Sequence, residues 1–201
     1  MASPATFQAA GHLYAHEGVI VPSVTQSLTL AGIDDVSRIP RHHLERAAAI
    51  GTAVHSACHF LDDDDLELDS LDPKIVGYVL AYQRFKQEHN FTPRVIEQRG
   101  VSISPDGDLP YGFCLDRIGT IGGVELLLDL KTASRRQKWW SIQTAAYAQA
   151  TNFNGPRFEL HLAKDGTYKF NRHPNAGDFR DWLGALIVAH RKLADGAKLP
   201  R

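Results

Sequence analysis

The chain has 201 residues, of which 43% are hydrophobic and 22% are charged, which is typical of a globular protein with a single core. No apolar run approaches the roughly 18 residues that span a bilayer, so we expect a cytoplasmic protein. The net charge of −1 creates no overall attraction to nucleic acid, so a DNA partner would require positive charge that is concentrated locally. The two cysteines, Cys58 and Cys114, are too few for an iron–sulfur cluster or a zinc site made of cysteines alone, and we expect buried thiols.

The first part of the chain is predicted to be mainly helical. Pro22 followed by Ser23 predicts a turn that leads into a short helix. Apolar residues recur at helical spacing from Leu44 to Leu61, and again from Pro73, a residue favoured at helix starts, to His89. The acidic run Asp62–Asp65 between these two helices is typical of a solvated loop.

Strands dominate the middle of the chain. Alternating apolar residues predict strands over Arg94–Ile103, Tyr111–Ile121 and Val124–Lys131. The pair Gly122-Gly123 predicts a tight hairpin between the last two strands. The strand Val124–Lys131 is apolar along most of its length, which is typical of a central strand buried on both faces.

The remaining elements alternate between helix and strand. They are a helix from about Arg136 to Thr151, strands over Pro156–Ala163 and Thr167–Arg172, and a last helix over Ala176–Ala194. This order predicts an α/β sandwich around a mixed sheet in one domain that spans residues 1–201. We assign residues 44–194 to its core, and residues 1–43 to an N-terminal extension with a short helix.

The sequence Asp129-Leu130-Lys131, at the end of the buried strand, is the first candidate for chemistry. Because side chains alternate along a strand, Asp129 and Lys131 share one face while Leu130 turns away. A carboxylate can hold Mg²⁺ beside a phosphodiester, and a neighbouring ammonium can orient water or stabilise the transition state. Alone, such a pair is weak evidence, because most are incidental surface salt bridges.

Asp116, on the preceding strand, strengthens this interpretation. The Gly122-Gly123 hairpin pairs the two strands antiparallel, so Asp116 can approach Asp129 across the ladder. Two carboxylates on one face repel each other unless a cation lies between them, and hard oxygen ligands favour Mg²⁺ or Mn²⁺. The alternative is that Asp116 pairs with its neighbour Arg117, but adjacent residues on a strand point to opposite faces.

Four short motifs follow one another along the chain. They are Gly51-Thr52-Ala53-Val54-His55, Gly112-x-x-x-Asp116-Arg117-Ile118, Asp129-Leu130-Lys131-Thr132 and Gln143-x-x-x-Tyr147. Each is weak singly, but together and in this order they resemble the signature of the PD-(D/E)XK nucleases, specifically the RecB-like exonuclease branch. One departure is Leu115 in place of proline before Asp116, as is common in this branch. The resemblance implies a restriction-endonuclease-like core with a central mixed sheet flanked by helices.

The resemblance also implies a metal site. The ion, Mg²⁺ or Mn²⁺, would be held by His55, Asp116, Asp129 and the backbone carbonyl of Leu130. Without the other motifs, His55 would be better explained as a core histidine in an Ala-rich helix. Glu97 is a secondary candidate, because an acidic residue often occupies a similar place in these enzymes.

Further roles follow from the resemblance for three more residues. Lys131 would be the catalytic base or an electrostatic stabiliser. Gln143 and Tyr147, one helical turn apart on one face, would position the substrate strand or Lys131. Without the other motifs, these two would be better explained as a polar pair on an otherwise apolar helix.

Two basic segments offer the local positive charge that DNA requires. The first follows the catalytic strand, and its cationic and aromatic residues are Arg135, Arg136, Lys138, Trp139 and Trp140. Cations contact phosphates, and aromatic faces stack on unpaired bases at about 1–3 kcal/mol each, although we expect at least one tryptophan to pack under the helix. The second segment precedes the His55 helix and contains Arg41, His42, His43 and Arg46.

These features predict a metal-dependent deoxyribonuclease in a bacterial or phage-infected cell. We expect an exonuclease that acts on single-stranded DNA or DNA ends in recombination, repair or phage DNA processing. The sequence lacks the Gly-x-x-x-x-Gly-Lys-Ser/Thr loop of a helicase motor, so the protein acts alone or with a recombination or replication partner. The alternatives are a structure-selective or restriction-type endonuclease and a non-catalytic DNA-binding subunit. Intact Asp116, Asp129 and Lys131 argue against the last alternative, because an inactive copy has no chemical reason to retain them.

Overall fold

The computed structural model describes residues 6–8, 13–35 and 39–200. The strands in these ranges are β1 (Thr6–Gln8), β2 (Leu13–His16), β3 (Val19–Val21), β4 (Thr92–Ile103), β5 (Pro110–Ile121), β6 (Val124–Lys131), β7 (Arg157–Leu162) and β8 (Tyr168–Arg172). The helices are α1 (Val24–Leu30), α2 (Arg41–Asp62), α3 (Pro73–His89), α4 (Trp140–Ala150) and α5 (Gly177–Ala194), and a 3-10 turn covers Leu68–Ser70.

A mixed sheet of five strands, in the order β4-β5-β6-β7-β8, lies at the centre of the fold. β6 and β7 run parallel, and the other neighbouring strands run antiparallel. Gly122 and Gly123 have φ angles of 56° and 80°, which the tight hairpin between β5 and β6 requires and which glycine adopts without strain. Because a tight turn cannot join parallel strands, the chain crosses over through α4 before it returns as β7. The predicted α/β fold with a central mixed sheet flanked by helices is confirmed.

Helices cover both faces of this sheet and create two cores. α2 and α3 pack on one face, where their apolar side chains meet Leu126, Leu128 and Leu130 of β6. Helices α1, α4 and α5 cover the other face around Leu127. Successive residues of β6 therefore enter opposite cores, as expected for a central strand. Over the described ranges, no helix is long and apolar enough to cross a membrane.

The N-terminal extension contains more structure than the sequence predicted. Besides the expected short helix, α1, it has a second sheet of three antiparallel strands in the order β1-β2-β3. This sheet packs against β5 so closely that a Cβ on Gly112 would lie 2.0 Å from the ring of Tyr14. Strands of three or four residues carry too little alternation to be predicted. Residues 1–5, 9–12 and 36–38 of the extension lie outside the described residues.

Two predictions about element ends were wrong. α4 begins at Trp140 rather than near Arg136, because the preceding residues form a loop. Asp62 belongs to the last turn of α2 rather than to a solvated loop, and its side chain is fully buried. It lies 2.7 Å from Arg117 Nε and 2.8 Å from Lys86 Nζ. A buried carboxylate needs such partners, and a local acidic run does not reveal that they exist.

Candidate active site

Asp129 and Lys131 lie on the same face of β6, at its carboxyl end. Leu130 between them is buried in the core beneath α2 and α3, so the two polar side chains project toward α4, as alternation predicted. Lys131 Nζ lies 2.7 Å from Asp129 Oδ2, and the two side chains are only 15% and 2% exposed. The pair is therefore not a surface salt bridge.

Asp116 joins this pair from β5. In the antiparallel ladder, Arg117 pairs with Leu128. The next residue on each strand is Asp116 on β5 and Asp129 on β6, so these two aspartates lie across from each other. Asp116 Oδ2 accepts a hydrogen bond of 2.7 Å from the amide of Leu130. The guanidinium of Arg117 instead binds Asp62 on the other face of the sheet, so it does not neutralise the Asp116 carboxylate.

His55 reaches this group from α2. The helix passes close to the end of β6, where a Cβ on Gly51 would lie 3.6 Å from Thr132 Oγ1. One turn later, His55 Nδ1 lies 3.3 Å from Asp116 Oδ1. The histidine of the first motif thus meets the aspartate of the second.

The ionisation of these groups is strongly coupled. Burial raises the pKa of Asp116, but the charges of His55 and Lys131 and the Leu130 amide outweigh it and hold the pKa below its usual value. Burial raises the pKa of Asp129, Lys131 opposes this, and the Asp116 carboxylate adds to it, so the pKa lies above its usual value. Burial lowers the pKa of His55, but the Asp116 carboxylate outweighs this and raises it. Two adjacent carboxylates therefore stay ionised together only with the help of nearby positive charge.

Gln143 and Tyr147, one turn apart on α4, complete the group. Lys131 Nζ donates a hydrogen bond of 2.7 Å to Gln143 Oε1, and Gln143 Nε2 donates one of 2.8 Å to the Tyr147 hydroxyl. Burial, together with the carboxylates of Asp129 and Asp116, raises the pKa of Tyr147 well above its usual value, so the phenol stays neutral. Gln143 therefore fixes the Lys131 ammonium from the helix side.

A cleft of about 720 Å³ opens onto this group, within the range of small-molecule and cofactor sites. The motif side chains that line it are His55, Asp116, Asp129, Lys131, Gln143 and Tyr147. The loop after β6 and Trp139 form part of the wall, and Asp34 and Asp35 also line the cleft. All four motifs thus contribute to one solvent-accessible site.

The oxygen donors of the site are of the type that a hard divalent cation prefers, and the imidazole is a softer additional ligand. Two carboxylates, an imidazole and a carbonyl are ligands that Mg²⁺ and Mn²⁺ accept. Asp129 Oδ2 forms an ion pair with Lys131 Nζ at 2.7 Å, and burial raises the pKa of this carboxyl, so a divalent cation would stabilise its ionised form. Among the described residues, no three His, Cys, Asp or Glu side chains are grouped as a ready metal site, and a cation would compete with Lys131 and His55 for these oxygens.

The predicted DNA-binding cations of the loop between β6 and α4 differ in their exposure and in their ion pairing. Arg135 and Lys138 are exposed. Arg136 is about half exposed, but its guanidinium binds the buried carboxylate of Glu159. Arg136 is therefore already neutralised by the protein, whereas Arg135 and Lys138 present their charges to solvent.

The two tryptophans of this segment also differ. Trp140 is only 2% exposed and packs mainly in the interior, although it also lines the cleft, and its predicted DNA contact stays a prediction. Trp139 is half-buried and lines the cleft. The ring centroids of Trp139 and Trp140 lie 6.0 Å and 5.6 Å from Lys131 Nζ, so both rings also contribute to the surroundings of the lysine.

The remaining candidates lie outside the cleft lining. Arg41, at the start of α2, pairs with Glu45 at 2.6 Å, and Arg46 is exposed on the same helix. Glu97 pairs with Arg99 at 2.8 Å. Its φ of 48° is unusual for a residue other than glycine. The structure does not bring these side chains to the candidate site.

Two polar residues beside the site were missed by the sequence interpretation. Glu159 and His161 of β7 lie next to Asp129 and Lys131 in the register of the parallel strands. A signal was present, because Arg157, Glu159 and His161 alternate with apolar residues along this strand. Such a pattern puts them on one face of a strand, but it does not tell which strand lies alongside.

No protein-family model and no curated protein matches this chain. Among solved structures, it is similar to a protein from Eubacterium rectale described as a candidate exonuclease, with 13% identity, a TM-score of 0.45 and 90% of each chain covered. It is also similar to the protein SSO0001, with 13% identity and a TM-score of 0.38 over 75% of this chain and 76% of that one. Identities and TM-scores this low assign neither a family nor an activity.

Proposed function

We propose that the chain is a metal-dependent nuclease of the PD-(D/E)XK superfamily, in its RecB-like exonuclease branch, which hydrolyses DNA phosphodiester bonds at strand ends. The observation that carries this proposal is the convergence of Asp116, Asp129 and Lys131 in one cleft with His55 and with the Gln143–Tyr147 pair. These residues come from α2, β5, β6 and α4. Four separately weak motifs have no structural reason to meet at one opening unless they act together.

The energetic cost of this group supports a functional role. Each ion that leaves water loses several kcal/mol, as an order of magnitude, and a buried ion pair is often no more stable than apolar side chains of the same volume. Two buried carboxylates lie side by side here, with Lys131 2.7 Å from Asp129 and His55 3.3 Å from Asp116, and burial and Asp116 raise the pKa of Asp129. Such an arrangement is unfavourable for stability and favourable for binding a positively charged ligand.

Lys131 is the side chain placed to act on a phosphate. Its ammonium is held between Asp129 and Gln143 and faces the cleft. From this position it would orient the attacking water and stabilise the negative charge that develops on the phosphate oxygens. Gln143 and Tyr147 would keep Lys131 aimed, because α4 holds both of them in a hydrogen-bonded chain.

Asp116, Asp129 and His55, with the Leu130 carbonyl, would hold the Mg²⁺ or Mn²⁺ ion. When bound, such an ion acts as a Lewis acid toward the phosphate and lowers the pKa of a bound water. The two carboxylates would repel the phosphate backbone until their charge is neutralised. We therefore expect the metal to be required for tight binding of DNA as well as for cleavage.

The rim of the cleft favours a flexible, unpaired strand as substrate. Arg135 and Lys138 are exposed cations on the loop, and Trp139 is a partly open aromatic ring at the wall. This combination of cations with an aromatic face is typical of proteins that bind single strands. It also supplies local positive charge in a chain whose net charge is −1.

Cleavage assays with end-labelled oligonucleotides test this proposal. Single- and double-stranded DNA labelled at the 5′ or 3′ end should be degraded from an end in Mg²⁺ or Mn²⁺ and left intact in EDTA. Asp129→Asn, purified in the same way, is the control for a contaminating nuclease. Cleavage of closed circular DNA would indicate an endonuclease instead. Failure to cut any DNA or RNA, in a protein that binds Mn²⁺ by calorimetry, would refute the proposal.

A further inference from the structure

β7 places two polar side chains directly beside the candidate catalytic pair. Glu159 lies next to Asp129, and His161 lies next to Lys131, in the register of the parallel strands. Partners in register on neighbouring strands project from the same face of a sheet. Glu159 is fully buried, and His161 is half-buried. A carboxylate inside a strand requires partners that offset the loss of hydration.

The partners of Glu159 come from two directions. On one side, Asn171 Nδ2 donates a hydrogen bond of 3.0 Å to Glu159 Oε1, and His173 Nε2 lies 3.1 Å from Oε2. On the other side, Arg136 Nε of the loop after β6 donates to Glu159 Oε1. Because the Arg136 side chain is 54% exposed, the loop is linked to the interior mainly through the guanidinium head group.

His161 fixes the same loop nearer its start. Its Nε2 donates a hydrogen bond to the carbonyl of Ala133. Its ring also meets the ring of Trp140 edge-on, with 5.5 Å between the centroids. The segment from Ala133 to Trp140 is therefore held at both ends and, through Arg136, near its middle.

We infer that Glu159 and His161 are positioning residues that hold this segment, residues 133–139, as a fixed wall of the cleft. Neither side chain lines the cleft, whereas Ala133 and Trp139 do, so Glu159 and His161 act through the loop. The functional part of the inference rests on the proposed nuclease activity. A fixed wall lowers the entropy lost when a DNA strand binds, so loss of either contact weakens substrate binding more than the chemical step.

Limited proteolysis tests the fixed loop without a nuclease assay. Trypsin cleaves after arginine and lysine, so Arg135, Arg136 and Lys138 are sites within the loop itself. Glu159→Gln should raise the rate of cleavage at these sites by about tenfold, since local opening no longer breaks a charge-assisted hydrogen bond. Cleavage elsewhere should not change. The matched control is Glu125→Gln, which removes the exposed pair with Arg94 at the other end of β6 and should leave the loop protected.

A second pair of variants isolates the contact made by His161. His161→Leu removes the donor to Ala133, and we expect cleavage of the loop to accelerate as in Glu159→Gln. His161→Gln keeps an N–H donor and should restore protection in part. His161→Leu also keeps the test available if Glu159→Gln does not fold.

Kinetics on a single-stranded oligonucleotide provide the functional readout. Glu159→Gln and His161→Leu should raise KM by about tenfold and change kcat by less than about twofold. Unchanged cleavage of the loop by trypsin in both variants would overturn the inference. Cleavage accelerated equally inside and outside the loop would also overturn it, because it indicates a purely structural role. Faster cleavage confined to the loop, in a wild-type protein that cuts no DNA, would support the fixed loop and reject the proposed function.

Discussion

Two groups of ionised side chains lie on opposite faces of the same sheet, and α2 and β5 contribute to both. The cleft cluster consists of His55, Asp116, Asp129 and Lys131. The inner cluster consists of Asp62, Tyr82, Lys86 and Arg117. Asp116 and Arg117 are neighbours on β5, and His55 and Asp62 lie two turns apart on α2. The same two elements therefore supply both a candidate site and a buried structural contact.

The clusters differ in their balance of charge and in their access to solvent. In the inner cluster, the single carboxylate of Asp62 meets Arg117 at 2.7 Å, Lys86 at 2.8 Å and the Tyr82 hydroxyl at 2.9 Å. The side chains of Asp62 and Arg117 are both fully buried. In the cleft cluster, the two carboxylates are paired with Lys131 and His55, and the group faces an opening of about 720 Å³. The inner cluster is closed and stabilises the fold, although Arg117 Nη2 has no hydrogen-bond partner among the described residues, whereas two carboxylates at an opening are suited to a cationic ligand.

The largest expected effect is on activity in the cleft cluster. Lys131→Ala and Asp129→Asn should each lower the single-turnover rate by about 10³-fold or more, since each removes a group that acts in the transition state or holds the metal. Asp129→Asn should not lower Tm, because it removes one of two adjacent buried carboxylates. Lys131→Ala leaves the Asp129 carboxylate buried without its ammonium and should lower Tm, so the rates are compared per folded molecule. Oligonucleotide affinity measured by fluorescence anisotropy should change little in Lys131→Ala. Normal turnover in Lys131→Ala would show that the cleft cluster does not act in catalysis.

The inner cluster should respond in the opposite way. Asp62→Asn leaves Arg117 and Lys86 without a carboxylate, and breaking a buried ion pair costs about 3–5 kcal/mol. We expect this loss in the free energy of unfolding in urea, with unchanged activity per folded molecule. Tyr82→Phe is the milder variant, since it removes one hydroxyl and costs about 1 kcal/mol. If Asp62→Asn were as stable as the wild type, the distinction between a structural and a functional cluster would fail.

The comparison also explains what could be predicted from the sequence. Asp129 and Lys131 were assigned to one face because strand alternation is a local property, and Gly122-Gly123 fixed the pairing with the strand of Asp116. Local patterns did not reveal that Asp62 is buried, because its burial depends on Arg117, which is distant along the chain. The ion pair between Arg136 and Glu159 was missed for the same reason. Partners that meet only in the folded protein leave no periodic signal in either segment.

The two tryptophans next to the cleft allow a sharper division between stability and binding. Trp140 is buried, so Trp140→Ala should lower the free energy of unfolding by about 3–5 kcal/mol, the usual cost of a large-to-small core change. Trp139 is half-buried at the cleft, where it packs at the edge of the core, so Trp139→Ala should weaken binding of single-stranded DNA by about 1–3 kcal/mol through lost stacking and lower Tm less than Trp140→Ala does. Melting temperature and affinity measured side by side separate the two effects. Equal destabilisation by both variants would assign Trp139 to the core as well.

The exposed cations of the loop should contribute to binding through charge alone. Arg135→Ala together with Lys138→Ala should weaken binding of every DNA sequence and flatten the dependence of log Kd on log salt by about one unit for each lost phosphate contact. Arg46→Ala, which removes an exposed cation of α2 outside the cleft lining, is the comparison variant. A change of slope in Arg46→Ala about half that of the double variant would place the DNA path along α2 as well as along the loop.

The last effect, which depends on pH, concerns Glu159. This side chain is buried like Asp62 of the inner cluster but lies beside the cleft. Burial raises the pKa of Glu159, but hydrogen bonds and charges from His173 and Arg136 outweigh it, so the pKa lies below its usual value. A carboxylate with a lowered folded pKa stabilises the protein above its unfolded pKa, about 4.3, and this contribution is lost as pH falls through the folded pKa. Glu159→Gln should therefore lower the free energy of unfolding by roughly 1–2 kcal/mol at neutral pH, and the difference from wild type should shrink below about pH 4. Urea unfolding at several pH values measures this difference. A difference that stayed constant down to acid pH would mean that the shape of Glu159, rather than its charge, supports the loop.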